Sequence, residues 1–261
     1  MPAANYNAAV LANGAAGENV MLLTARWDET TPAPACGQFY MLRAWKAEEA
    51  PLLSRPISVH RFDREKKEIS FLYEVRGTGT QKLAALRPGD TVALTGPSGR
   101  GFPVDGTLGG AVALVGGGIG IPPMLGCAQY TSGKSTAILG GRSQDKIILT
   151  NSFEDECAKV LVATDDGSMG HHGFVDALVR QELSENNNYD AVLACGPKPM
   201  LRNVAKVAEE FGVPCQVSME ERMGCGVGAC LVCACDMADG SRKHVCKDGP
   251  VFDSKEVDWN A

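Results

Sequence analysis

The stretch Cys225-Gly226-Val227-Gly228-Ala229-Cys230-Leu231-Val232-Cys233, answered later by Cys246, sets the terms for reading this 261-residue chain. Its spacing, C-x4-C-x2-C-x12-C, is the plant-type arrangement in which four thiolates hold a 2Fe–2S cluster. Such a cluster is anionic once four cysteinates bind it, so a tight loop has to turn backbone N–H groups inward toward the sulfurs. Gly226 and Gly228 permit the backbone that this turn requires, and Ala229 leaves room for close approach. Val227, Leu231 and Val232 are placed to shield the metal from water, which tunes a reduction potential. Two alternatives stand beside this one. Structural zinc also takes four cysteines, although zinc modules pair two short knuckles and only one, Cys230 to Cys233, is present. Cys235 is a rival to Cys233 for the third ligand position, at the expense of the C-x2-C step.

The length suits two domains and a small appendage. Hydrophobic residues make up 44% and charged residues 21% of the chain, which places it among ordinary globular proteins. A net charge of −6 supplies no positive surface, so neither nucleic acid nor an anionic membrane is expected as a partner. Residues 1–14 lack a basic and then apolar leader, and no secretory signal is expected. Ten cysteines without a signal point to a reducing cytoplasm and to metal chemistry rather than disulfides. The charge-free run 108–128 is long enough to suggest a membrane span. It contains seven glycines and the pair Pro122-Pro123, expected to break a helix midway, so a buried strand feeding a glycine loop is the better reading.

Residues 1–103 read as short strands separated by turn residues, at 20–26, 38–43, 57–62, 69–73 and 91–94. This series suggests a β-barrel, with one helix at 80–86 closed by Pro88-Gly89. Over 104–213 apolar runs at 111–115, 137–139, 160–163 and 191–194 alternate with helical segments, the mark of a doubly wound α/β unit. A helical stripe covers 199–211, with Gly212 as its C-cap. The last part, 214–261, opens with a strand at 215–219 that leads into the cysteine loop. Ala238-Asp239-Gly240 then marks a hairpin that brings Cys246 back to the other thiols.

Four further constellations suit cofactors. Arg55-Pro56-Ile57-Ser58 offers an arginine fork for phosphate and a hydroxyl for a flavin edge, unless it is a surface arginine beside a strand-starting proline. Gly77-Thr78-Gly79-Thr80 opens a helix, a natural pyrophosphate cradle. Gly116-Gly117-Gly118-Ile119-Gly120 follows the first strand of the α/β unit and lets a dinucleotide approach, though it does not match G-x-G-x-x-G strictly. Cys195-Gly196-Pro197-Lys198-Pro199-Met200 sits at a strand's carboxyl end, where open α/β sheets bind ligands, or is a buried cysteine before a tight turn. In Asp165-Asp166-Gly167-Ser168, after another strand, the carboxylates suit ribose hydroxyls and disfavour a 2′-phosphate, or the segment is an Asx turn. His171-His172 is expected in a loop without a role.

Together these motifs resemble the ferredoxin-reductase-like flavoproteins, and within them the electron-transfer subunits of NAD-linked, B-class dihydroorotate dehydrogenases. The resemblance rests on Arg55 to Ser58, Gly96-Pro97-Ser98-Gly99-Arg100-Gly101-Phe102, the loop Gly116 to Met124 and Cys195 to Met200. Its most specific parts are Glu220-Glu221-Arg222-Met223-Gly224-Cys225 with the cysteine loop, and Val245-Cys246-Lys247-Asp248-Gly249-Pro250-Val251-Phe252. It implies FAD in the barrel at Arg55, Pro56, Ile57, Ser58, Leu72, Tyr73, Glu74, Gly79 and Thr80. It implies NAD at Gly116, Gly117, Gly118, Gly120, Asp165, Cys195 and Gly196, and the cluster on Cys225, Cys230, Cys233 and Cys246. It further implies a separate FMN-bearing catalytic subunit that oxidises dihydroorotate, two copies of each chain in a heterotetramer, and a place in de novo pyrimidine synthesis. Electrons would run from that FMN through the cluster and FAD to NAD+, with no side chain of this chain acting as acid or base. An NAD(P)H:ferredoxin or sulfide-linked oxidoreductase subunit has the same modules, and a zinc-stabilised nucleotide-binding regulator is the alternative of another class. Cys235 departs from the family pattern as an extra thiol.

Overall fold

Six strands close into a barrel in the computed structural model, which describes residues 4–104, 111–131, 133–186 and 188–260. They are β1 (Ala4–Gly17), β2 (Val20–Arg26), β3 (Phe39–Arg43), β4 (Arg55–Asp63), β5 (Glu68–Glu74) and, after helix α1 (Thr78–Ala84), β6 (Thr91–Ser98). Round the barrel the order is β1-β2-β5-β4-β3-β6. Alternate residues of each strand, among them Leu23, Leu42, Ile69, Phe71 and Leu94, fill the interior. β1 escaped the sequence reading because its alanines and asparagines lack the β-branched and aromatic bias of strands. It forms because β2 and β6 both hydrogen-bond to it and the barrel cannot close otherwise. Helix α1 starts two residues earlier than expected: the Thr80 hydroxyl accepts the Arg76 and Gly77 N–H groups and so fixes the first turn.

The following strands build a seven-stranded sheet with helices on both faces. In chain order they are β7 (Ala111–Gly117), α2 (Ile121–Ala128), β8 (Thr136–Gly141), α3 (Thr150–Glu156), β9 (Lys159–Thr164), β10 (His171–His172) and α4 (Val175–Glu185). Then come β11 (Tyr189–Cys195), α5 (Lys198–Glu210), β12 (Cys215–Ser218), the hairpin β13 (Ala234–Asp236) and β14 (Arg242–His244), and β15 (Val251–Asp253). The sheet runs β10-β9-β8-β7-β11-β12-β15, parallel except for β15. Val112, Leu114, Leu139 and Leu193 pack on the α2–α3 side. Their neighbours Val115, Ile138, Val192 and Val217 pack on the α4–α5 side. This alternation, with near-continuous apolar strands, is the doubly wound architecture.

Two expectations are corrected. Pro122 and Pro123 do not interrupt a helix; they lie in the first turn of α2, where a missing N–H costs nothing. The start of the charge-free run, 108–110, lies outside the described residues. His171-His172 is not loop but the edge strand β10, held parallel to β9. The C-terminal segment is also tied to the sheet, since β12 and β15 are its last two strands. The Gly96-to-Phe102 turn meets that segment: Arg100 N–H donates to the Gly249 carbonyl at 2.5 Å.

Candidate cofactor sites

A cavity of about 1300 Å³ opens between the barrel and the carboxyl ends of the parallel strands. Its barrel wall is Arg55, Pro56, Ile57 and Ser58 from β4, Leu72, Tyr73 and Glu74 from β5, and Thr80 from α1. Its opposite wall is Gly117, Gly118 and Gly120 after β7, Asp165 after β9, and Cys195 and Gly196 after β11. Since β7 and β11 are neighbours whose helices turn to opposite faces, this wall is the topological switch point of the sheet. A Cβ at Gly120 would collide with the Cys195 carbonyl, so glycine is what lets the two strand ends meet. Gly79 and Gly116 do not line the cavity. Gly79 leaves space for the Arg55 guanidinium and Gly116 for the backbone of Ile121.

Several side chains have their polar atoms committed. Arg55 donates to the Leu53 carbonyl at 2.6 Å and lies 5.8 Å from the Trp45 ring. The Thr80 hydroxyl is spent on its own turn, as above. Tyr73 borders the cavity, but its ring is buried in the barrel core and its hydroxyl, shut off from the cavity, finds no hydrogen-bond partner among the described residues. Burial pushes the Cys195 thiol up to about 12 despite a hydrogen bond with Ser218, so it stays protonated. Asp166 accepts the Ser168 N–H and hydroxyl at 2.9 and 2.6 Å, an Asx turn, and Asp165 faces the cavity.

The sequence reading missed Phe174, Arg142, Glu220 and Met223, all of which line the cavity. Phe174 is 64% exposed at the start of α4, where its ring borders the cavity. Its only sequence signal was Gly173-Phe174 between a strand end and a helix.

The cysteine loop lies beyond β12. Gly226 has φ +71°, and a Cβ there would sit 2.5 Å from Met41 Cγ, so the loop rests directly on the barrel strand β3. Backbone N–H groups point at sulfur as the anionic cluster requires. Ala229 donates to Cys225 at 3.2 Å, Gly228 to Cys246 at 3.1 Å, Val227 to Cys225 at 3.4 Å and Cys225 to Cys230 at 3.4 Å. Burial raises the Cys225 thiol, but the Val227 and Ala229 N–H groups and Cys230 outweigh it and bring it down to about 6. Burial and the neighbouring Cys233 push Cys246 up to about 12.

The thiols stand two and two, Cys225 with Cys230 and Cys233 with Cys246. Among the described residues no three His, Cys, Asp or Glu side chains gather round one ion position. Division into pairs suits two irons that each take two thiolates. Cys235 is turned away, toward the Lys243 carbonyl at 3.5 Å and Met237 Sδ at 3.8 Å.

A closed barrel, a doubly wound sheet with a cavity at its switch point, and an N–H-lined thiol loop define a ferredoxin-reductase-like oxidoreductase. Residues 114–206 match the oxidoreductase NAD-binding domain, and residues 220–258 match the iron–sulfur cluster binding domain of dihydroorotate dehydrogenase B. The chain is 44% identical over 225 residues, 86% of each chain, to the dihydroorotate dehydrogenase B (NAD(+)) electron transfer subunit of Clostridium acetobutylicum. It is 40% identical over 253 residues, 96% of this chain and 97% of the other, to that of Caldanaerobacter subterraneus subsp. tengcongensis. It superposes with a TM-score of 0.84 and 29% identity on a chain of an NADH-dependent reduced ferredoxin-NADP oxidoreductase described for flavin-based electron bifurcation, covering 97% of this chain and 90% of that one. The chain belongs to the family of dihydroorotate dehydrogenase B (NAD(+)) electron transfer subunits. It is an oxidoreductase chain with an NAD-binding and an iron–sulfur cluster binding domain.

Proposed function

We propose that this chain carries electrons from an FMN-bearing catalytic subunit that oxidises dihydroorotate, and delivers them to NAD+. Two copies of each chain form the working assembly, and its place is the cytoplasm, in the making of pyrimidines. The observation that carries the reading is the single cavity in which the barrel wall faces the strand ends of the NAD-binding domain.

FAD is assigned to the barrel side, at Arg55, Pro56, Ile57, Ser58, Leu72, Tyr73, Glu74, Gly79 and Thr80. NAD is assigned to Gly116, Gly117, Gly118, Gly120, Asp165, Cys195 and Gly196, and the 2Fe–2S cluster to Cys225, Cys230, Cys233 and Cys246. When bound, a flavin trades electrons singly with a cluster and in pairs, as hydride, with a nicotinamide. The protein supplies placement. Arg55 offers charge to phosphate at the barrel wall. Asp165 sets a carboxylate where ribose hydroxyls would lie, and Phe174 a ring where the base would stack. Cys195, kept protonated, adds no charge beside the nicotinamide.

Around the thiols the exposed Val227, Leu231 and Val232, 50%, 67% and 54% exposed, form an apolar collar suited to a protein partner. Among the described residues no helix is long and apolar enough to cross a membrane. A ferredoxin-linked role is the second reading, favoured by the 0.84 superposition.

The test is a purified chain assayed alone and with its catalytic subunit. Alone it should contain FAD and iron and be reduced by NADH without oxidising dihydroorotate. Together they should couple dihydroorotate to NAD+. Dihydroorotate oxidation by the chain alone, or a pair that transfers nothing to NAD+, would sink the proposal.

A further inference from the structure

Strand β4 begins as the flavin-side wall of the cavity and ends by gripping the other domain. Between Val59 and Arg61 its register with β5 shifts, so His60 is the extra residue of a bulge. Bulges beside active sites re-aim a side chain, and this one sends His60 out of the barrel toward α2. The imidazole is only 4% exposed, and its Nδ1 lies 3.0 Å from the Pro122 carbonyl in the first turn of α2. A carbonyl can only accept, so Nδ1 carries the proton. Helix α2 is the element that follows the Gly117-to-Gly120 wall. Further along it, a Cβ at Gly126 would sit 2.7 Å from the His60 carbonyl oxygen, so glycine is needed for the helix to lie against the bulge. The next residue, Arg61, pairs with Glu156 of α3 at 2.6 Å.

None of these groups lines the cavity, yet they join its two walls. From this geometry we infer that His60 is a positioning residue for hydride transfer, fixing the spacing between the flavin wall on β4 and the dinucleotide loop ahead of α2. The inference rests on the assignment of FAD and NAD to the two walls. Hydride transfer needs reacting atoms about 3–3.5 Å apart, and an error of about 1 Å can cost roughly a hundredfold in rate. A carbonyl-anchored imidazole at a bulge is a stiff way to hold such a distance. It binds neither cofactor, so its loss should touch rate and not affinity.

The test is stopped-flow reduction of the bound flavin by NADH in the full chain. His60→Ala should lower the limiting rate by about tenfold, with the NADH concentration at half-saturation within about twofold of wild type. FAD content should be unchanged. His60→Gln, whose side-chain amide can donate to the Pro122 carbonyl, should recover most of the rate. Gly126→Ala, which keeps His60 but pushes α2 off the bulge, should slow reduction as well and decides the matter if His60→Ala does not fold. Nitrogen-15 spectra of the cofactor-free protein should show the Nδ1–H tautomer.

Unchanged limiting rates in His60→Ala or Gly126→Ala, an Nε2–H tautomer, or a rate that falls only in step with lost FAD would each overturn the inference alone. Wild-type protein that takes up no FAD, or is not reduced by NADH, would overturn the assignment of the cleft and this inference with it.

Discussion

The cavity and the thiol loop prepare for negative charge by opposite means. The cavity is walled by the ends of regular strands, and its glycines serve close packing between those ends. The loop has no helix or strand between β12 and β13; it turns N–H groups toward sulfur and leaves its apolar side chains in water. One site is shaped by packing that exists before any ligand arrives. The other is shaped by four thiols that repel one another as thiolates unless irons stand between them. The cavity should therefore tolerate loss of the cluster, and the loop should not tolerate loss of a thiol.

The largest expected effect follows directly. Replacing Cys225, Cys230, Cys233 or Cys246 by Ser should remove nearly all iron and the cluster's visible absorbance. FAD content and NADH-driven flavin reduction should stay within about twofold, since no loop thiol lines the cavity. Cys235→Ser should keep the iron, because that sulfur faces Lys243 and Met237. Iron lost with Cys235 but kept without Cys233 would overturn the ligand assignment. Loss of FAD along with iron would break the independence of the two regions.

A second experiment probes the cavity alone. Phe174→Ala should weaken NADH binding by about tenfold, the worth of one aromatic stack near 1.4 kcal/mol, and leave the iron unchanged. Titration of flavin reduction against NADH concentration reads it. An unchanged half-saturation would mean that the ring faces solvent and nothing else.

The two regions were also legible to different degrees. Cysteine spacing is a local code, so the loop and its ligand candidates could be read before any fold was known. Strand ends such as Gly116 to Gly120 and Cys195-Gly196 were recognisable because buried parallel strands are long apolar runs. What could not be read depends on contacts distant in sequence. β1 is a strand only because the barrel closes around it. Phe174 and Arg142 reach the cavity only once β8, β9 and α4 are assembled. His60 sits within a readable strand, but its outward turn comes from a bulge set by pairing with β5. Pro122-Pro123 carried the right residues and the wrong inference, since proline is a breaker inside a helix and welcome in its first turn.

The collar of the loop gives a smaller effect. Val227→Glu should slow electron transfer from the catalytic subunit roughly fivefold, through a misplaced charge at a desolvated contact. It should spare reduction of the flavin by NADH. Equal loss of both would mean that Val227 supports the cavity, contrary to its exposure. Loss of neither would place the partner elsewhere.

The smallest effect is a pH dependence that belongs to the cleft and not to the loop. Burial holds the His60 imidazole below its ordinary value of 6.5, opposed in part by its hydrogen bond to Pro122 and assisted by the nearby Arg61 charge. Arg61 is itself paired with Glu156 of α3. The unfolded chain therefore binds a proton as pH falls through about 6.5, while the folded chain still holds the ring neutral. The contribution of His60 is complete above that pH and declines as pH falls from 6.5 toward the folded-state value. Carboxylates such as Asp63 and Asp166, held below their ordinary 3.8 by hydrogen bonds, lose their contribution only further into acid. Urea midpoints at pH 7.5 and pH 5 should thus differ more for wild type than for His60→Gln, which has no proton to gain. Equal pH dependence in the two proteins would mean that the ring takes up its proton in place, and that the bulge is looser than its burial implies.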